Sequence, residues 1–206
     1  MRTGESTLDD AVAALLDGRL VVMPTDTVYG VAADAFSPGA VNALLAAKGR
    51  GRDMPVPVLI GSPHTLEGIA EGLSPTAVAL IEAFWPGGLS LVVRHPSSLR
   101  WDLGEARGTV LVRMPNQPVA LELLQRTGPL AVSSANRSGH PPATNVVEAR
   151  SQLGSSVSVY LDGGATAGDV PSTIVDVSQP GEPPRVLRLG TISADQLRTV
   201  APDLVG

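Results

Sequence analysis

The 206 residues contain no cysteine, which excludes disulfides and thiolate metal sites and leaves the redox compartment unreadable from cysteine usage. Histidine occurs only at His64, His95 and His140, without HExxH-type spacing, so a histidine-built metal centre is not expected. Aromatic residues make up 3% of the chain, too few to predict a stacking platform for nucleic-acid bases. No apolar run approaches membrane-spanning length. The opening MRTGESTLDDAV is polar and acidic where a signal peptide is basic and then apolar, so the chain reads as cytoplasmic, with no membrane partner. A Walker loop, a GxGxxG turn and a GxSxG elbow are all missing. His140, the histidine near Ser133 and Ser134, sits in a proline-rich loop, which makes a nucleophilic hydrolase a weak reading.

Cations are in the minority, with 15 Lys and Arg against 20 Asp and Glu and a formal net charge of −5. An anionic partner must therefore be met by a local basic pocket, not by the whole surface. Lys48 is the only lysine. Where arginine serves as the generic cation, a lone lysine either marks a place for a compact point charge or survives by chance at a solvated helix end.

What is present suits one domain with a sizeable core. The chain is organised around RLVVMPTDTVYGVAAD, Arg19 to Asp34, where a buried strand at Leu20 to Met23 gives way to Thr25, Asp26, Thr27 and Tyr29, with Gly30 letting the backbone bend close to a ligand. Thr7, Ser37, Ser62, Ser74 and Ser193 read as N-caps, and Gly49 as the end of a helix carrying Lys48. The helix after Ser74 is expected to bury Val78, Ile81, Ala83 and Phe84; Trp85 reads as core, His64 as surface and His95 as loop. Strands are expected at Val56 to Ile60, Leu89 to Val93, Thr109 to Arg113, Leu130 to Val132, Val157 to Leu161, Ser172 to Val177 and Arg185 to Leu189. Not all are joined by helices, so the fold class is α/β with a twisted mixed sheet flanked by helices.

Two short strands end in polar clusters, at Thr25 to Tyr29 and at Ser133-Ser134-Ala135-Asn136, and open α/β sheets bind ligands at strand ends. Arg113 alternates with apolar neighbours in TVLVR, so its burial requires an anion, either an internal carboxylate or a ligand. Hydroxyls, one lysine and several arginines, with little acid/base machinery, suit a reaction run by positioning and charge neutralisation, such as phosphoryl or nucleotidyl transfer.

PTDTVYGVAADA, the KGR at Lys48 to Arg50, TVLVRMP, SSANRSGHP, PSTIVDV and VLRLG, in that order and over nearly the whole chain, resemble the YrdC/Sua5 family of threonylcarbamoyl-AMP synthases. The length is similar to the short form: one YrdC-like domain over residues 1–206, core about 7–200, without the additional C-terminal domain of longer Sua5 proteins. The resemblance implies a nucleotidyltransferase joining L-threonine, bicarbonate and ATP into threonylcarbamoyl-adenylate and pyrophosphate. The product goes to a downstream tRNA threonylcarbamoyl-transferase complex that modifies adenosine 37 of tRNAs reading ANN codons. It further implies that Thr27 and Arg113 hold threonine, with Thr25, Tyr29, Ser133 and Ser172 completing its pocket. Lys48 and Arg50 are implied as catalytic residues facing the triphosphate, and Thr109, Ser134, Asn136 and Arg188 as neighbours of the nucleotide. Mg²⁺ is expected to arrive with ATP, held mostly by phosphate oxygens and water, with no protein metal ligand assigned.

The chain departs from the family pattern at Gly51, Met54, Leu59 and Pro142, and the unusual Arg52 is expected to supply charge that Pro142 does not. The rival reading is an RNA-binding or ribosome-associated module, with weak tRNA contact at the same basic surface; acidic charge and the lack of stacking residues count against it.

Overall fold

The computed structural model describes residues 6–206; the first five residues of the acidic opening segment lie outside the described part. Local chemistry sets the helix starts. In α1 (Leu8–Leu16) the Thr7 hydroxyl accepts from the Asp10 amide while the Asp10 carboxylate accepts from Thr7 N, a complete capping box. Ser37, Ser74, Asn145 and Ser193 cap α2 (Pro38–Lys48), α4 (Pro75–Phe84), α6 (Val146–Leu153) and α7 (Ala194–Arg198). Ser62 opens only a 3₁₀ turn that leads into the short α3 (Leu66–Ile69), and Gln117 caps α5 (Pro118–Thr127). The helix after Ser74 is rotated from its expected face: Ala77, Leu80 and Ile81 are buried, whereas Val78 and Ala83 are exposed. Counting from the cap, the sheet-facing stripe follows i, i+3, i+4, and Val78 lies off it.

Among the described residues nine strands form one sheet: β1 (Val21–Met23), β2 (Gly30–Asp34), β3 (Val58–Leu59), β4 (Leu89–Arg94), β5 (Thr109–Arg113), β6 (Leu130–Ser134), β7 (Val159–Tyr160), β8 (Thr173–Asp176) and β9 (Arg185–Arg188). Their order is β7-β1-β2-β6-β3-β5-β4-β8-β9. The pairs β1–β7, β3–β5 and β4–β8 are parallel and the rest antiparallel, which is the mixed α/β sheet expected. Strand β2 was not anticipated, because its sequence reads as the tail of a polar turn. It folds back on β1, with Met23 opposite Gly30, and pairs on its other side with β6, with Gly30 opposite Ser134. A Cβ on Gly30 would stand 2.7 Å from Val132 Cγ1, so glycine is needed there for close approach and not for a bend.

Alternation along the strands divides the sheet into two faces. Val31, Val58, Leu91, Val110, Val112 and Val175 belong to the larger core, which α2, α3, α4, α6 and α7 cover. On the opposite face α1 and α5 pack over β1, β2 and β6 through Ala11, Leu15, Leu123, Leu124 and Val132, and this second cluster reaches no further than Leu59 of β3.

Candidate functional site

Beyond Leu59 the second face opens into a cleft of about 410 Å³. Strand side chains line it, Leu59, Ser90, Leu111, Arg113, Val132 and Ile174 among them, together with Thr25, Thr27, Arg50, Ser133, Ser134, Ser172 and Arg188. The polar ends of β1 and β6 reach the cleft, but it lies across the sheet face, because the covering layer stops halfway.

One end of the cleft is built around Arg113, which is 6% exposed. Its Nε donates to Gly87 O (2.9 Å), Nη1 to Thr27 Oγ1 (2.9 Å) and Nη2 to the Asp26 carboxylate. Asp26 also accepts from the Asn116 amide (3.0 Å). Of the two anions left open by the sequence, the internal carboxylate is therefore present, and Asp26, which had no role assigned, is the partner. Burial lowers the Arg113 pKa, Asp26 opposes that shift, and repulsion from Arg188 adds to it. Three of the five guanidinium N–H groups are engaged by protein, which leaves one on each terminal nitrogen for a second acceptor. Thr25 gives its hydroxyl proton to Val28 O (2.6 Å), so Thr27 is the donor in the 3.1 Å contact between the two threonine hydroxyls.

Also in the lining, the Ser90 and Ser172 hydroxyls are 2.9 Å apart, and Arg188 donates to Ser172 O (2.7 Å). Ser90 was missed by sequence reasoning, although a hydroxyl inside the apolar run LSLVV was a usable signal. On the other wall Arg50 reaches Ser133 Oγ (3.3 Å) and Pro55 O (3.2 Å), while its Nε is buried without a partner. Neither Arg50 nor Arg188 makes an ion pair among the described residues. Burial lowers the pKa of each, with Asp53 opposing the shift at Arg50.

Other expected site residues stand apart. Tyr29 lines the cleft, but its phenol donates to Gly164 O (2.6 Å) and accepts from Gly163 N (3.0 Å), which anchors the start of the loop leading to Pro171; burial raises its pKa. Lys48, Thr109 and Asn136 are not among the cleft-lining residues. Lys48 Nζ donates to Ser134 O (2.5 Å), Asn136 O (2.7 Å) and Asn136 Oδ1 (3.3 Å). Asn136 Nδ2 donates to Arg137 O and His140 O (2.9 and 2.7 Å). Thr109, at the far end of β5 from Arg113, gives its hydroxyl proton to Ala106 O (2.8 Å).

Of the departures, Leu59 and Pro142 line the cleft, whereas Met54 is exposed. Arg52 is drawn away into contacts with Asp102 and Asn42 Oδ1, so the charge expected from it is not delivered to the cleft. Phe36 and Trp101 stack at 5.8 Å and 22°, with His95 edge-on to Trp101, but all three lie outside the cleft lining.

The lining contains no Asp, Glu, His or Lys, so the site can bind and neutralise anions but has little with which to shuttle protons. No group of three or more His, Cys, Asp or Glu capable of holding a metal ion occurs among the described residues. No helix among them is long and apolar enough to cross a membrane.

Residues 13–190 match the Sua5/YciO/YrdC family model, described as "Telomere recombination". A Mycobacterium tuberculosis protein provisionally named a threonylcarbamoyl-AMP synthase is 60% identical over 190 residues, covering 92% of this chain and 87% of that one. The Bacillus subtilis threonylcarbamoyl-AMP synthase is 34% identical over 97% of this chain, which spans 58% of its length. The crystal structure of Pyrococcus abyssi Sua5 complexed with L-threonine superposes with a TM-score of 0.91 at 33% identity, covering 97% of this chain and 58% of that one.

Proposed function

The chain belongs to the Sua5/YciO/YrdC family, and on that footing we propose that it is a threonylcarbamoyl-AMP synthase, joining L-threonine, bicarbonate and ATP. The observation that carries this reading is the juxtaposition, in one cleft, of Arg113 and Thr27, with Arg113 already paired to Asp26, and of Arg50 and Arg188, which have no carboxylate partner among the described residues. The first suits an amino acid, whose carboxylate takes the two free N–H groups of Arg113 and whose hydroxyl and amine meet Thr27, Ser172 and Ser133. The second suits a polyphosphate.

With no Asp, Glu, His or Lys in the lining, the proton shed by the threonine ammonium would pass to solvent. The threonine amine condenses with bicarbonate, with loss of water, to give a carbamate. A carbamate oxygen then forms a bond to the α-phosphorus of ATP as the bond to the β-phosphate oxygen breaks, and pyrophosphate leaves with the electron pair. What the residues supply is orientation of the two reactants and cationic charge where the leaving group gains negative charge. Arg50 and Arg188 would take that role, with Ser134 and Pro142 beside the nucleotide. Mg²⁺ would enter with ATP, since Asp26 is committed to Arg113 and the cleft otherwise offers only neutral oxygens. The adenylate would pass to a tRNA-modifying threonylcarbamoyl-transferase, and the expected compartment is the cytoplasm.

The deciding test is pyrophosphate release from ATP by the purified protein, with mass spectrometry of the product. Release that depends on both L-threonine and bicarbonate, with a threonylcarbamoyl-adenylate mass, is the expected result. Release independent of threonine, or none under conditions where an authentic synthase works, overturns the reading.

A further inference from the structure

Lys48 is 3% exposed at the C-terminal end of α2, beneath the turn that follows β6. Its ammonium has three N–H groups, and three protein acceptors receive them: the carbonyls of Ser134 and Asn136 and the side-chain oxygen of Asn136. A second tie runs the other way, because the Lys48 carbonyl accepts from Ser138 N (2.8 Å). From the fixed ammonium the network continues outward, with the Asn136 amide donating to Arg137 O and His140 O. Ser134 and Pro142, at the two ends of this segment, line the cleft, whereas Lys48 does not.

We propose that Lys48 is a positioning residue, whose ammonium fixes the Ser134–Asn136 turn in the shape the nucleotide end of the cleft requires, and that it does not contact phosphate. The inference rests on the synthase reading and deepens it. Swinging Nζ towards a phosphate would strip hydrogen bonds from three acceptors at once, two of them on buried Asn136, and buried acceptors left unpaired are strongly disfavoured. Arginine could not substitute, since a planar fork does not direct donors at three acceptors gathered around one point. This accounts for lysine surviving at this position alone in an arginine-using chain.

The position is also sensitive to pH. Burial, aided by repulsion from Arg50, pulls the Lys48 pKa down to about 8. Arg50 is the charged group that acts on it, and the other titratable groups of the turn, Arg137 and His140, are exposed. Loss of the proton would remove one donor and turn a lone pair towards a carbonyl.

Two measurements test the proposal. In Lys48→Met, hydrogen–deuterium exchange of the ligand-free protein should rise roughly tenfold or more in residues 134–140 with the sheet unchanged. Affinities for ATP, ADP and AMP should fall by a common factor. In the wild type, which needs no variant to fold, exchange in the same segment, corrected for intrinsic base catalysis, should rise between pH 7 and 9.5 while pyrophosphate release falls. Unchanged exchange in both experiments, or a loss of affinity that grows with the number of phosphates, overturns the proposal. A wild type that binds no adenine nucleotide would instead overturn the synthase reading, and the exchange data would still decide what Lys48 does.

Discussion

The cleft holds its arginines in two opposite ways. Arg113 lies almost wholly buried against Asp26, whereas Arg50 and Arg188 are partly solvated and meet only hydroxyls and carbonyls. A buried cation with an internal carboxylate is a structural commitment as well as a binding group, because removing either member strands a charge. A half-solvated cation without a carboxylate can be removed at little structural loss, and its charge remains available to a ligand. Arg113 is therefore prepared in advance, whereas Arg50 and Arg188 are completed by their anion.

Arg113→Ala should show the largest effect. It leaves Asp26 uncompensated, so urea unfolding should report a loss of about 3–5 kcal/mol, and calorimetry should show threonine binding abolished with ATP binding kept. Unaltered stability would mean that the Asp26 pairing contributes nothing and would erase the contrast. Arg188→Ala and Arg50→Ala should leave unfolding midpoints nearly unchanged and weaken ATP by about 10- to 100-fold, as expected for loss of a charge-assisted hydrogen bond. A threonine defect of equal size would show that the two kinds of arginine do not serve separate ligands. Ser90→Ala should be milder, raising the threonine KM by about fivefold through loss of one hydrogen bond to Ser172. Arg52→Ala should leave the ATP KM unchanged, since its guanidinium is engaged by Asp102 and Asn42. A raised KM would restore Arg52 to the nucleotide end.

The parts legible in the sequence were those determined locally. Thr7, Ser37, Ser74 and Ser193 open helices because a cap needs only its own first turn. The alternation in TVLVR correctly separated Leu111 and Arg113 from Val110 and Val112. What was not legible depends on distant pairing. Asp26 meets Arg113 across 87 positions, and Ser90 meets Ser172 across 82, and nothing near either residue announces the other. Strand β2 was hidden because its first residue, Gly30, is required by the approach of Val132 from β6. Likewise, the acceptors that Lys48 meets lie 86 and 88 positions away, and its being a lone lysine gave no hint of them.

The helices that cover β1, β2 and β6 stop short of β5, β4, β8 and β9, so on one side the fold is missing part of its outer layer. Threonine and ATP, lying on that bare area, would serve as its cladding. A protein that borrows wall from its substrates should melt later when they are supplied, by about 2.7 kcal/mol at a hundred times Kd. Its lifetime as a folded molecule would then follow the supply of what it consumes.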